Sequence, residues 1–126
     1  MSIEFSKVGY IYSEKTPFEY AALHDVDLKF SEGKVTAIIG ATGSGKSSIV
    51  NLIPRFYDVT GGKICIDGVD IKDVTLKSLR ENIGVVAQDV YLFSGTVREN
   101  ILYGNLNATE EEVIEAAKKA EEAKKA

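Results

Sequence analysis

Eight consecutive residues, Gly40-Ala41-Thr42-Gly43-Ser44-Gly45-Lys46-Ser47, constrain this chain more than any other feature. They satisfy the pattern G-x-x-x-x-G-K-[ST] in full. An apolar, β-rich run from Lys34 to Ile39 precedes them, and a helical pattern carrying Ile49, Val50, Leu52 and Ile53 follows from Gly45. Pro54 lacks a backbone N–H and is expected to end or kink that helix. Strand, tight glycine loop and helix in this order describe a phosphate cradle. A phosphate chain needs several backbone N–H groups aimed inward at once, which demands a tight loop and close backbone approach. The helix N-terminus adds its positive end. Lys46 is expected to reach the β- and γ-phosphates, and Ser47 to offer its hydroxyl to Mg²⁺. Such a loop reads phosphates and not bases, so on its own it leaves ATP and GTP both open.

The rest of the chain reads as an α/β fold around that loop. In the first thirty residues Val26, Leu28 and Phe30 alternate with Asp27 and Lys29, a strand with one apolar face. Lys34 to Ile39 is apolar on both faces and predicts a strand buried between two layers. Thr60-Gly61-Gly62 predicts a turn, Lys63 to Asp67 a short strand, and Asp67-Gly68 a second turn. Leu76 to Asn82 suits a short helix and Ile83 to Val86 a second core strand. The expected architecture is P-loop NTPase-like: an antiparallel β subdomain plus a partial parallel core sheet with flanking helices. Thr109 and Glu112 have capping-box spacing, and Val113, Ala116, Ala117 and Ala120 share one face, so a helix is expected from about Glu110. Residues 1–117 are expected to form the binding domain, and 118–126, KKAEEAKKA, a low-complexity helical tail with almost nothing to bury.

Charge narrows the partners. The net charge is −4, with 15 basic residues dispersed among 19 acidic ones. A nucleic-acid footprint requires clustered Lys and Arg, so no nucleic-acid partner is expected. Cys65 is the single cysteine, which excludes an internal disulfide, and its place between Ile64 and Ile66 suits a buried structural thiol. No run approaches the ~18 apolar residues of a membrane span, and the N-terminus lacks a signal pattern. Work at a membrane would need another anchor.

Beyond the loop come Arg55-Phe56-Tyr57-Asp58, Gly61-Gly62-Lys63-Ile64, Ile66-Asp67-Gly68, Leu79-Arg80 and the long run from Ile83 through Gln88 and Phe93-Ser94-Gly95-Thr96-Val97-Arg98-Glu99-Asn100-Ile101. Over about residues 3–117 this strongly resembles the nucleotide-binding domains of ABC exporters. One stretch, Glu14 to Leu23, looks more like the ATPase subunits of energy-coupling-factor vitamin importers, which leaves import and export both open. The resemblance implies ATP and Mg²⁺ as ligands. It implies a nucleotide site of Tyr12, Gly40, Thr42, Gly43, Ser44, Gly45, Lys46, Ser47, Ser48 and Gln88, with Ser47 and Gln88 toward the metal. Tyr12 would stack on adenine, a flat ring face on a purine, with Tyr10 a nearby competitor. Gln88 would bring a carboxamide oxygen, a fitting donor to a hard cation. Tyr91 to Asn100 matches the surface on which the family's transmembrane domain docks; core packing of Leu92 and Phe93 is the rival reading. The intact family pairs two nucleotide-binding domains at the cytoplasmic face of a membrane. His24 is not placed where the family's switch histidine lies and reads as a surface residue.

The departures shape the expected mechanism. After Gln88 there is no L-S-G-G-Q-like signature, no apolar strand ending in Asp-Glu, and no downstream histidine. No catalytic residue is therefore assigned. General-base contributions run to ~10²–10⁴-fold, so the chain is expected to bind Mg-ATP and scarcely hydrolyse it alone. The alternative is a non-catalytic ATP-binding or interaction module, natural or designed. By the resemblance, the strands at Val35–Ile39 and Ile83–Val86 are not sheet neighbours in the intact family. They are expected to pair directly, to leave a gap, or to be joined by another chain, self-association being one escape from exposed apolar strand faces.

Overall fold

The computed structural model describes residues 1–87 and 89–123. It holds two compact units, Met1–Val85 and Val86–Ala126. The first contains β1 (Ile3–Tyr12), β2 (Tyr20–Phe30), α1 (Lys46–Leu52), β3 (Gly61–Ile66), β4 (Val69–Asp70) and α2 (Leu76–Glu81). The second contains α3 (Val97–Leu102) and α4 (Glu110–Ala123). The strands form one four-stranded sheet in the order β2-β1-β3-β4, antiparallel at every step. The α/β fold with an antiparallel β portion and flanking helices is as expected.

β1 owes its function to an inserted residue. Against β3 it pairs Ser6 with Lys63 and then Gly9 with Gly61, so Lys7 and Val8 together oppose Gly62. This is a β-bulge, and it moves the side-chain alternation forward by one. Phe5, Val8 and Tyr10 therefore all point into the core, at 1%, 0% and 7% exposure. The bulge is held from both sides. Lys7 sits at φ 51, its backbone N–H donates to Asp27 Oδ1 at 2.9 Å, and its ammonium lies 2.8 Å from Asp27 Oδ2. These bonds hold the Asp27 carboxyl below its ordinary range, the side-chain contact with Lys7 contributing most. On the other side Gly62, at φ 69, lies so close that a Cβ there would run into the backbone of Lys7 and Ser6.

β3 and β4 are joined by Asp67-Gly68, at φ 48 and φ 84, with Ile66 paired to Val69. Two residues at positive φ give the backbone a twist that matches the flanking strands, which is why Asp-Gly is favoured here. The core gathers Phe5, Val8, Tyr10, Leu23, Ile49, Leu52, Ile64, Ile71 and Leu79. Leu52 and Ile64 are fully buried, each stabilising the unit by about 1.5–3 kcal/mol. After α1 the chain turns at Arg55, φ 55, and is pinned by α2. Arg80 Nε donates to the Pro54 carbonyl at 2.9 Å and Nη2 to that of Arg55 at 2.8 Å. Its guanidinium lies 5.3 Å from the centre of the Phe56 ring. Arg55 Nε in turn donates to Asp58 Oδ1 at 2.6 Å.

Two expectations fail. Lys34 to Ile39 is not a strand, and Val35 and Ile39 are 103% and 91% exposed, Ile38 alone being half-buried. Ile83 to Val86 is likewise without ladder bonds, with Val86 at 99% exposure. Neither forms the expected parallel core strand. An apolar run becomes a strand only when a neighbour takes up its backbone N–H and C=O groups, and among the described residues neither segment has such a neighbour.

In the second unit α3 is a helix beyond those expected from the sequence. Thr96 caps it, accepting from Glu99 N at 3.2 Å, while Glu99 Oε2 accepts from Thr96 N at 2.7 Å. The Thr-x-x-Glu spacing was there to be read. The same device opens α4, where Thr109 N donates to Glu112 Oε2 at 2.8 Å, as expected. Val113 is the buried residue of α4, and Arg98 Nε donates to Glu110 Oε2 at 2.6 Å.

Gly62→Ala should destabilise the first unit by on the order of 3 kcal/mol, combining strain at positive φ with overpacking; urea unfolding followed by far-UV circular dichroism measures it. α3 should respond to acid. The Glu99 carboxyl is held low, first by the Thr96 backbone N–H and then by its side chain. Its contribution is complete above the ordinary carboxylate value of about 4.3 and is lost as pH falls through the lowered folded value. Protection factors of the Asn100 and Tyr103 amides should therefore drop on acidification, and in Glu99→Gln should be low already at neutral pH.

Candidate functional site

The glycine loop is built by its own backbone and steadied by β2. Ser44 N donates to the Ala41 carbonyl at 3.2 Å, and Ile49 N to that of Gly45 at 3.0 Å, so α1 begins at Lys46 with Gly45 as its cap. Gly43 and Gly45 lie at φ 82 and φ 87, where a side chain is strained. A Cβ at Gly45 would also stand 2.8 Å from Leu23 Cδ2 and 3.0 Å from the Ala22 carbonyl oxygen. β2 thus supports the loop from behind through a side chain that is itself in the core. At Gly40 a Cβ would approach Ser44 Oγ to 2.8 Å and Lys46 Nζ to 3.9 Å, inside the turn.

Lys46 is folded back over this turn. Its ammonium donates to the carbonyls of Gly40 and Ala41, both at 2.6 Å, and to Ser44 Oγ at 3.2 Å. All three acceptors are neutral, so a positive charge is held at the loop with no carboxylate among those partners. Thr42, Gly43, Ser44 and Ser47 are exposed around it. A glycine turn with two residues at positive φ, a lysine ammonium over its carbonyls and an exposed hydroxyl beside it fits a phosphate chain with a hard cation.

Ser48, the residue after the loop, is 5% exposed. Its Oγ lies 3.2 Å from the Tyr12 hydroxyl, joining α1 to the end of β1. Of the two candidate tyrosines, Tyr10 belongs to the core and Tyr12 is half-buried. Their rings meet edge to face at 4.7 Å. Tyr57, from the segment after α1, lies 5.6 Å from Tyr10 and 6.1 Å from Tyr12. Burial, then the proximity of Tyr12 and Tyr57, pushes the Tyr10 hydroxyl above its ordinary range. The structure therefore brings Tyr12, Ser48 and the residues 40–47 into one unit. The sequence reading gave Tyr57 no role, since only the tertiary fold places it beside Tyr12.

Gln88 lies outside the described residues. His24 is exposed at the surface, 3.5 Å from Asp25, and takes no part in the loop. Cys65 is half-buried rather than fully buried. Among the described residues no His, Cys, Asp and Glu side chains gather as a metal cluster, and no helix is long and apolar enough to cross a membrane.

In the second unit Tyr91, Leu92 and Val97 are 80% exposed or nearly so. With Phe93, Asn100 and Ile101 they line a cavity of about 500 Å³. Asn100 fixes this turn: its Oδ1 accepts from Phe93 N at 2.8 Å, and its Nδ2 donates to the carbonyls of Phe93 and Thr96 at 3.0 and 2.9 Å. The Phe93 ring lies 4.5 Å from that of Tyr103.

A family model described as ABC transporter matches residues 23–126. The chain is 51% identical over 118 residues to the putative multidrug export ATP-binding/permease protein YgaD of Bacillus subtilis, covering 94% of this chain and 20% of that one. It is 47% identical over 119 residues to an uncharacterized ABC transporter ATP-binding protein of the same organism, with the same coverage. Among solved structures it resembles a bacterial Atm1-family ABC exporter with ATP bound, with a TM-score of 0.85 and 42% identity over 93% of this chain and 20% of that one. The chain thus spans about a fifth of the length of these relatives.

Gly45→Ala should disturb the loop rather than the sheet. Strain at positive φ together with the contacts to Leu23 and Ala22 should cost about 2 kcal/mol of stability, read from thermal unfolding, while backbone amide shifts on a two-dimensional NMR spectrum should move at 22–23 and 40–48 and stay in place in β3.

Proposed function

The chain is an ATP-binding domain of the ABC transporter family, and on that premise we propose that residues 40–48 and Tyr12 are its seat for Mg-ATP. Lys46 carries the reading. A lysine ammonium held at 2.6 Å by two neutral carbonyls of a glycine loop would bind phosphate oxygens more strongly than carbonyl oxygens, because an anionic oxygen attracts the ammonium by full charge–charge interaction and a carbonyl only by its dipole. It would exchange those carbonyls for the β- and γ-phosphates, and the loop's N–H groups would take the remaining oxygens. Ser47, exposed beside the loop, would give its hydroxyl to Mg²⁺, with Gln88 the second oxygen donor. The cation would neutralise charge on the phosphates. Tyr12, half-buried where Tyr10 is buried, would carry the adenine. The similar exporter structure is described with ATP bound, which supports ATP over GTP.

The apolar turn at Tyr91 to Asn100 supports a docking role toward a transmembrane domain, because its apolar side chains face solvent on a turn held by Asn100. A second nucleotide-binding domain, and a place at the cytoplasmic face of a membrane, belong to the same proposal. Coupling of ATP hydrolysis to transport is proposed for a transporter of the relatives' length. The 126-residue chain itself binds nucleotide and turns it over slowly, because no side chain in it is assigned as the base that activates water.

Calorimetric titration with Mg-ATP of this chain and of Lys46→Ala, with phosphate release followed in the same samples, tests the proposal. Saturable binding, weakened roughly tenfold or more by Lys46→Ala, with release near background, is the expected result. Equal binding by both proteins would remove the loop from the reading. Steady release would show that the chain does contain a base that activates water.

A further inference from the structure

Three tyrosines converge where β1 ends, Tyr10 and Tyr12 from β1 and Tyr57 from the segment after α1. Tyr10 is fixed by the core. Tyr57 is 45% exposed, and its ring lies 5.6 Å from that of Tyr10 and 6.1 Å from that of Tyr12. Its segment is tightly held: Arg55 N donates to the Leu52 carbonyl and Phe56 N to that of Asn51, both at 3.1 Å. Arg80 binds the two carbonyls just before it, and Asp58, just after it, accepts from Arg55. Held in this way, the Tyr57 ring meets Tyr12 at 72° with centroids 6.1 Å apart, while Tyr10 meets Tyr12 at 78° and 4.7 Å. Neither neighbour lies flat on Tyr12. The third restraint is the Ser48 hydroxyl at the far end of the Tyr12 ring.

An aromatic ring at the end of a strand ordinarily turns among rotamers, and each freedom lost on binding weakens affinity. Two perpendicular ring contacts and a bond at the hydroxyl remove that freedom beforehand. We propose that Tyr57 is a positioning residue for the purine: it holds the Tyr12 ring in the orientation that a base stacks on, and so sets the part of nucleotide affinity that depends on the base rather than the phosphates. The inference rests on the assignment of Tyr12 and the loop to Mg-ATP.

Inorganic triphosphate with Mg²⁺ separates the two parts, because it engages the loop and has no base. Binding of Mg-ATP and of Mg-triphosphate is measured by calorimetry on the full chain and on Tyr57→Leu, Tyr57→Phe, Tyr12→Leu and Tyr12→Leu/Tyr57→Leu. Tyr57→Leu should weaken ATP roughly 3- to 10-fold, the range of an aromatic pair, and leave triphosphate within about twofold. Tyr57→Phe, which keeps the ring, should restore ATP binding. In the Tyr12→Leu background the change at Tyr57 should have no further effect, since its action passes through Tyr12. Equal loss of both ligands in Tyr57→Leu, including loss by misfolding, would mean a structural role and overturn the inference; so would unchanged ATP affinity, or additive effects in the double variant. If Tyr12→Leu binds ATP as the parent does, or Lys46→Ala binds triphosphate as the parent does, the nucleotide-site reading itself fails, which is a different result from failure at Tyr57 alone.

Discussion

The bulge at Lys7 and Val8 sets the direction of every side chain that follows it in β1. Side chains alternate strictly along a strand, so one inserted residue reverses which of them face the core. Without the insertion, the phase set by Phe5 would turn Lys7 and Gly9 inward and leave Val8 and Tyr10 outside. With it, Val8 and Tyr10 are buried, and Tyr12 meets Tyr10 on the side where α1 begins. The bulge depends on two further residues, Asp27 on β2 and Gly62 on β3, whose missing side chain lets the Lys7 backbone come close. The candidate adenine platform is therefore a consequence of sheet geometry several residues away.

The phosphate loop is supported differently. A parallel strand was expected to carry it, and none is formed by the described residues 34–39. Its shape rests on local bonds, on two glycines at positive φ, and on the contact of Gly45 with Ala22 and Leu23. Leu23 is also part of the core, so the antiparallel sheet reaches the loop through one side chain. Lys46 completes the turn by bonding its carbonyls, an arrangement that keeps a cation at the loop before any anion arrives. The same economy appears in the second unit, where Asn100 alone makes three bonds to the turn that carries Leu92 and Phe93.

What the amino-acid sequence determined by itself is local. Gly40 to Ser47 names its own chemistry, because loop, lysine and hydroxyl are contiguous. Asp67-Gly68 dictates its turn, Thr109 and Glu112 their helix start, and Thr96 and Glu99 carry the same signal for α3. The apolar alternation of Val26, Leu28 and Phe30 gave β2. Only the tertiary structure decided what depends on partners. Val35 to Ile39 and Ile83 to Val86 have the composition of buried strands, but a strand exists only where another chain segment accepts its hydrogen bonds, and composition cannot supply one. The bulge is not legible in the sequence because it lies in the register between strands. Tyr57, Tyr12 and Ser48 are 9 to 45 positions apart in the chain, and only packing makes them neighbours: side-chain contacts across such distances follow from the fold, whereas a phosphate loop follows from the rotational freedom of its own glycines.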